Sequence, residues 1–198
     1  MKQLVYAFAP TKNVKGENEY AFGLKDGMPW GHIKRDMLNF AARTKDTILI
    51  CGAKTFMSFR EPLPGRRCIV VQDLERPLVT AKNGFFANAY VSPLEFTGFL
   101  GGDDLSATTT YDTHPVFFQH ENYSIIGGAK LLIESGDKVD RIVQTTIRKK
   151  HYVVSDVKLP MDFIVAPTWE ESDFVTTETH WYDIDELTNI SETVYERR

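Results

Sequence analysis

Cysteine is nearly absent from this sequence: Cys51 and Cys68 are the only two in 198 residues, and no CxxC pair occurs. Each lies inside an apolar run, so the expected state is a buried free thiol in a reducing compartment. A cysteine-based redox or metal role is thereby excluded. The five histidines (His32, His114, His120, His151, His180) show no ligand spacing, so no metal is expected. No apolar run is long enough to span a membrane. The N-terminal run Leu4–Ala9 is too short for a signal peptide and has little positive charge before it, so a cytoplasmic location is expected. Basic residues never gather into a block. The local runs Arg66-Arg67 and Arg148-Lys149-Lys150 are short, and 23 Lys+Arg stand against 27 Asp+Glu, a net charge of -4. That excludes a nucleic-acid tract. There is no GxGxxG or Walker pattern, no Ser/His/Asp arrangement, no internal repeat and no low-complexity segment.

What is present is an ordinary globular composition, 42% hydrophobic and 25% charged. The length suits one domain over residues 1–198, and a chain of this size buries about 70% of its unfolded surface. Leu4–Ala9 reads as a strand covered on both faces. A polar segment from Pro10, with Gly16, Gly23 and Gly27, reads as a long mobile loop of the kind that often serves as a lid. Helix Ile33–Ala42 and strand Thr47–Cys51 follow. The turn at Gly52-Ala-Lys-Thr55 opens a helix to about Phe59, and strand Cys68–Gln72 comes next. A strand at Ala89–Val91 leads into a helix over Pro93–Leu100. Residues 101–122 are polar and read as a surface excursion. Strand Tyr123–Ile126 runs through Gly127-Gly128 into a helix at Ala129–Glu134, followed by strand Arg141–Ile147. Weaker strands are expected near Val153, at Phe174–Thr179 and at Trp181–Ile184. This order predicts an α/β fold: a mostly parallel central sheet with helices on both faces and an antiparallel pair at the C-terminal end.

The chain reads as organised around Asp26–Phe40. Ile33, Met37 and Phe40 form one apolar stripe of a helix, and Asp36 points along that stripe. A carboxylate facing apolar neighbours is costly without partners or a task; the spacing alone equally fits a helix-edge Asp that reaches solvent. Two strand-to-helix turns, Gly52–Thr55 and Gly127–Lys130, place backbone amides and a lysine at helix N-termini, where phosphate binds. Each is also an ordinary structural turn. Arg66 follows the rigid Leu63-Pro-Gly65 turn and is suited to gripping a carboxylate, or is a solvated loop arginine. Thr145, in mid-strand, could hydrogen-bond a buried carboxylate or be a plain β-branched strand residue.

Together these residues resemble the dihydrofolate reductase family. The resemblance rests on Val5-Tyr-Ala7, Gly27-Met-Pro-Trp30, Asp36 six residues past that Trp, Phe40 four further, Gly52–Thr55 and Pro62-Leu-Pro-Gly-Arg66. It continues through Ile125-Ile-Gly-Gly128, Thr145 and Trp181-Tyr-Asp-Ile184. The long first loop and the closing Thr179-His-Trp-Tyr182 look most like forms encoded by large tailed bacteriophages. Residues 84–122 match poorly and support no transfer.

The resemblance implies a dihydrofolate reductase-like three-layer fold and reduction of 7,8-dihydrofolate to tetrahydrofolate with hydride from NADPH. Asp36, Trp30 and Thr145 would be the catalytic group. Asp36 would bind the pterin and promote protonation of N5, Thr145 would hold Asp36, and Trp30 would order a water. Val5, Tyr6, Met28, Met37, Phe40 and Leu63 would line the substrate, and Arg66 would grip its glutamate. For the cofactor, the resemblance points to Ala7, Phe22, Gly23, Gly27 and Met28. It also points to Gly52, Ala53, Lys54 and Thr55, to Val71, Gln72 and Asp73, and to the run Ile126, Gly127, Gly128, Ala129, Lys130 and Leu131. The Gly127–Gly128 peptide is cis in the family. The segment Phe22–Met28 would close over the cofactor and exclude water. Antifolates are the implied inhibitors.

The chain departs from the family pattern at three places. Ala53 stands where a basic residue is common, Phe56 where Trp is frequent, and Gln72-Asp73 where Ser or Arg commonly meets the 2′-phosphate. The resemblance still implies NADPH over NADH, with Lys54 or Arg76 supplying charge. A pyrimidine-reductase-type domain shares the fold but lacks the Met-Pro-Trp…Asp…Phe spacing. A folate-binding structural or assembly component with little turnover is the alternative from another class.

Overall fold

The computed structural model describes residues 1–105 and 121–198. Of the surface excursion expected near 101–122, residues 106–120, with His114 and His120, lie outside the described residues. The described chain forms two compact units: Met1–Gln3 with Thr44–Val139, and Leu4–Arg43 with Asp140–Arg198.

The first unit is a parallel α/β layer. Strands β3 (Ile48–Gly52), β4 (Cys68–Val71), β5 (Ala89–Val91) and β6 (Tyr123–Gly127) lie in the order β5-β4-β3-β6, every pair parallel. The continuously apolar strands Ile48–Cys51 and Cys68–Val71 are buried along their whole length, as a sheet covered on both faces requires. Helix α2 (Ala53–Ser58) follows β3, α3 (Pro93–Gly101) follows β5 and α4 (Ala129–Ser135) follows β6. The start of α3 is set by a capping box, with Ser92 and Glu95 each satisfying the other's backbone N–H, and by Pro93 in the first turn. Its end is set by Gly102 in the left-handed region, φ 114°. Leu49, Phe56, Val70 and Tyr90 form the core here, with Cys51 and Cys68 packed among them. Both cysteines are free, with sulfurs 3.8 Å apart, as the sequence leads one to expect.

The second unit carries the antiparallel strand pairs. It contains β1 (Lys2–Lys12, from Leu4 onward), β2 (Asn18–Gly23), α1 (Lys34–Arg43), β7 (Arg141–Lys149), β8 (Val157–Lys158), α5 (Met161–Val165), β9 (Phe174–Asp185) and β10 (Thr188–Arg197). Two expectations are corrected in this unit. The stretch after Pro10 is not simply a long loop: β1 continues to Lys12 and pairs with β2 as a hairpin, Ala9 opposite Ala21. The antiparallel pair at the C-terminal end is not Phe174–Thr179 against Trp181–Ile184. Those residues form one strand, β9, and its partner is β10, which also pairs with β7. Turn signals within 174–184 are absent, so the strand runs through. Val153 is buried but outside any strand; the short β8 lies further on and pairs with β2.

Pairing fixes which residues share a face. Glu192 of β10 stands opposite Thr145 of β7 and His180 of β9, and Ile190 stands opposite Ile147 and Tyr182. Alternation along each strand puts these residues on the face that α1 covers, because Arg43 reaches Glu192 and Glu178 while Arg35 lies 4.8 Å over the Tyr182 ring. Gln144 and Tyr195 belong to the opposite face, where Gln144 donates to the Tyr6 hydroxyl at 2.8 Å.

Candidate active site

Helix α1 contains one buried residue, and it is a carboxylate: Asp36, 5% exposed. The helix-edge reading, in which Asp36 reaches water, is therefore ruled out. Ile33, whose carbonyl accepts from Met37 N at 3.1 Å, and Trp30 pack beneath it with Ile147, Ile190, Ala9 and Ala21. Burial in this apolar setting is the main reason the Asp36 carboxyl is raised from 3.8 to about 6; the negative charge of Glu192 raises it further. Trp30 opposes the rise. Its indole Nε1–H is near enough to stabilise the carboxylate, yet it sits outside hydrogen-bonding geometry as a buried donor with no acceptor. A carboxyl that titrates close to neutrality beside an unsatisfied N–H can both accept hydrogen bonds from a polar ring and give up a proton.

Among the other candidates in this unit, Thr145 is buried on the same face as Glu192, but no hydrogen bond joins it to Asp36. Met37 and Phe40 are half-buried on α1, and Met28 is exposed. Val5 and Ala7 alternate with Tyr6 along β1, and Tyr6 faces Gln144 and Phe163 instead of the α1 side. Burial lifts the Tyr6 hydroxyl above its ordinary range, so it remains a neutral structural group. Phe22 and Gly23 end β2, and Gly27 closes a tight turn with Leu24 through paired backbone hydrogen bonds of 2.9 and 3.0 Å.

In the first unit the two strand-to-helix turns lie side by side, because β3 and β6 are neighbours and Cys51 is opposite Gly127. A Cβ on Gly52 would come 3.7 Å from the Gly128 nitrogen, and one on Gly128 would come 3.4 Å from Thr55 Oγ1. Neither α2 nor α4 has a side-chain cap at its start, so the amides there are not satisfied by side chains. The Gly127–Gly128 peptide is cis, and Gly127 has φ 141°. Ala53, Lys54 and Thr55 form the first turn of α2, Ala129, Lys130 and Leu131 that of α4, and Ile126 is the last residue but one of β6. Lys54 is exposed, and the exposed Lys130 ammonium lies 3.6 Å from Glu134. At the end of β4, the Gln72 amide donates to Asp73 and Pro77 carbonyls, and Asp73 pairs with Arg76 at 3.2 Å. Leu63 and Arg66 are half-buried in the turn before β4.

The family model for dihydrofolate reductase matches residues 14–91. Dihydrofolate reductase type 8 of Escherichia coli is 36% identical over 77 residues, which is 37% of this chain and 46% of that protein. Type 9 of the same organism is 34% identical over 68 residues, 34% of this chain and 38% of that protein. The chain thus matches less than half the length of these curated relatives. Among solved structures, a dihydrofolate reductase from Enterococcus faecalis complexed with NADP(H) and RAB-propyl has a TM-score of 0.66 at 20% identity. That likeness covers 100% of this chain and 96% of the other. The fold is that of dihydrofolate reductase.

Within this dihydrofolate reductase fold, two charged residues escaped the sequence reading: Arg43 and Glu192. Glu192 is 3% exposed, and Arg43 holds it through Nε at 3.0 Å and Nη2 at 2.7 Å. The available signal was the alternation of Ile190, Glu192 and Val194 in Thr188–Arg197, which marks a strand with one acid on its buried face.

Proposed function

We propose that this protein is an NADPH-dependent dihydrofolate reductase, converting 7,8-dihydrofolate to tetrahydrofolate, with residues 1–198 acting as one functional domain. The reading is carried by Asp36: the single buried residue of its helix is an acid lifted to about 6, beside the unsatisfied Trp30 N–H. A pterin ring presents an amide N–H and an amino group that a carboxylate accepts, and its N5 must gain a proton as C6 is reduced. Asp36 holds the ring and favours that proton, with Trp30 positioning a water and Thr145 backing the carboxylate. Met37, Phe40, Leu63, Val5 and Met28 pack the substrate rings, and Arg66 takes the glutamate carboxylate. Tyr6 contributes through its backbone, since its side chain is engaged elsewhere.

The uncapped starts of α2 and α4, set against each other at Gly52, Thr55 and Gly128, suit a pyrophosphate. Gly52–Thr55 and Ile126–Leu131 would hold the cofactor there, with Val71, Gln72 and Asp73 beside its adenosine end and Ala7, Phe22, Gly23, Gly27 and Met28 toward the nicotinamide. When bound, NADPH supplies the hydride. The activity would supply one-carbon and thymidylate metabolism in the cytoplasm, and antifolates would compete with substrate. The long first segment and Thr179–Tyr182 support a form encoded by a large tailed bacteriophage.

The test is NADPH oxidation with dihydrofolate, run beside Asp36→Asn. Turnover that is lost in the variant supports the reading. Tight folate binding with no turnover in the unmutated protein would favour a binding component instead.

A further inference from the structure

We propose that Glu192 is a positioning residue for Asp36: clamped by Arg43 from the far end of the same helix, its buried negative charge faces Asp36 across the helix and sheet. The inference rests on the dihydrofolate reductase reading for its rate measurements, but not for its titration. Asp36 and Arg43 are seven residues apart, two helical turns, so both point from α1 toward one sheet face. On that face Glu192 lies next to Thr145 and is shut off from solvent. Arg43 places two nitrogens on one Glu192 oxygen, at 3.0 and 2.7 Å, and its Nη2 also binds Glu178 at 2.6 Å. A buried charge fixed in this way acts on its neighbours with little screening.

The remaining groups on this face do not replace it. Glu178 lies at the rim with its side chain 40% exposed, and His180 touches Glu178 at 3.3 Å. Arg35 is stacked on Tyr182, Thr145 does not titrate, and Trp30 offers a neutral N–H. Among the described residues, the negative charge of Glu192 raises the Asp36 carboxyl beyond what burial does. It therefore keeps the acid protonated to higher pH than burial alone would. Arg43 has a complementary duty, since its two bonds to Glu192 tie the end of α1 to β10.

The experiment compares the unmutated protein with Glu192→Gln in two ways. The first is a carbon-13 NMR titration of the Asp36 carboxyl without ligands; the second is kcat for NADPH oxidation with saturating dihydrofolate from pH 5 to 9. The Asp36 midpoint should fall by about half a pH unit, so that kcat above pH 7 drops about threefold while the two proteins converge near pH 5. Glu178→Gln should leave the midpoint in place. A uniform loss of kcat at every pH with an unmoved midpoint would show a merely structural anchor and overturn the proposal. So would a midpoint that moves as far in Glu178→Gln. If Glu192→Gln does not fold, the double variant Arg43→Met/Glu192→Leu removes the pair whole and is read by the same midpoint. If the unmutated protein lacks turnover, the activity reading fails, while the titration still decides the part played by Glu192.

Discussion

Replacing Asp36 by asparagine should abolish the proposed activity and stabilise the protein. The carboxyl is raised from 3.8 to about 6, chiefly by burial. Between those values the folded protein holds a proton that the unfolded chain releases, so stability falls as pH rises through that window. Above pH 6 the whole penalty stands. Each pH unit is worth about 1.4 kcal/mol, so the interval amounts to about 3 kcal/mol at pH 8 and roughly half of that at pH 5. Asparagine has the same shape and never ionises, so the variant should gain these amounts. For a chain of this length that corresponds to a rise in Tm of roughly 6–12 °C at pH 8. Denaturant unfolding at pH 5 and pH 8, with both proteins at each pH, measures it. Equal stability at pH 8 would refute the reasoning. A gain of the same size at both pH values would also refute it, because the effect would then not be the cost of a buried charge. Such an exchange of activity for stability is what a strained site predicts.

Arg66→Ala should raise the Kd for dihydrofolate tenfold or more and leave that for NADPH within about twofold, because one ion pair with the substrate carboxylate is lost; fluorescence titrations with each ligand report it. Asp73→Ser removes a carboxylate from the end of β4 and should raise the ratio of kcat/KM for NADPH over NADH several-fold; an unchanged ratio would place the 2′-phosphate elsewhere. Ser92→Ala breaks the capping box of α3 and should cost about 1 kcal/mol in denaturant unfolding with no change in KM for either ligand.

Both the parallel layer and the two strand-to-helix turns were legible from residues alone, because continuous apolar strands bounded by Gly-Ala-Lys-Thr and Gly-Gly-Ala-Lys leave few alternatives. Asp36 was legible as unusual, since helical period placed it among Ile33, Met37 and Phe40. Its burial was not, because periodicity gives a direction and cannot say what covers that direction. The C-terminal hairpin was misread because Phe174–Asp185 is largely exposed and carries little alternation, and β10 mixes Ile190 and Val194 with Glu192. The charge at Glu192 hid the strand, and the partner that makes it tolerable, Arg43, is 149 positions away. Ion pairs of that separation leave no local pattern in a sequence.

The tight turn after β2 is held from outside itself. Gly23 pairs with Val157, its carbonyl accepts from Asp156 N at 3.0 Å, and Lys25 N donates to the Asp156 carboxylate at 2.8 Å. Loss of the Asp156 contacts should let this turn open locally, without unfolding the sheet that bears it. Hydrogen exchange at Lys25 should therefore follow substitutions at Asp156, a residue 131 positions along the chain.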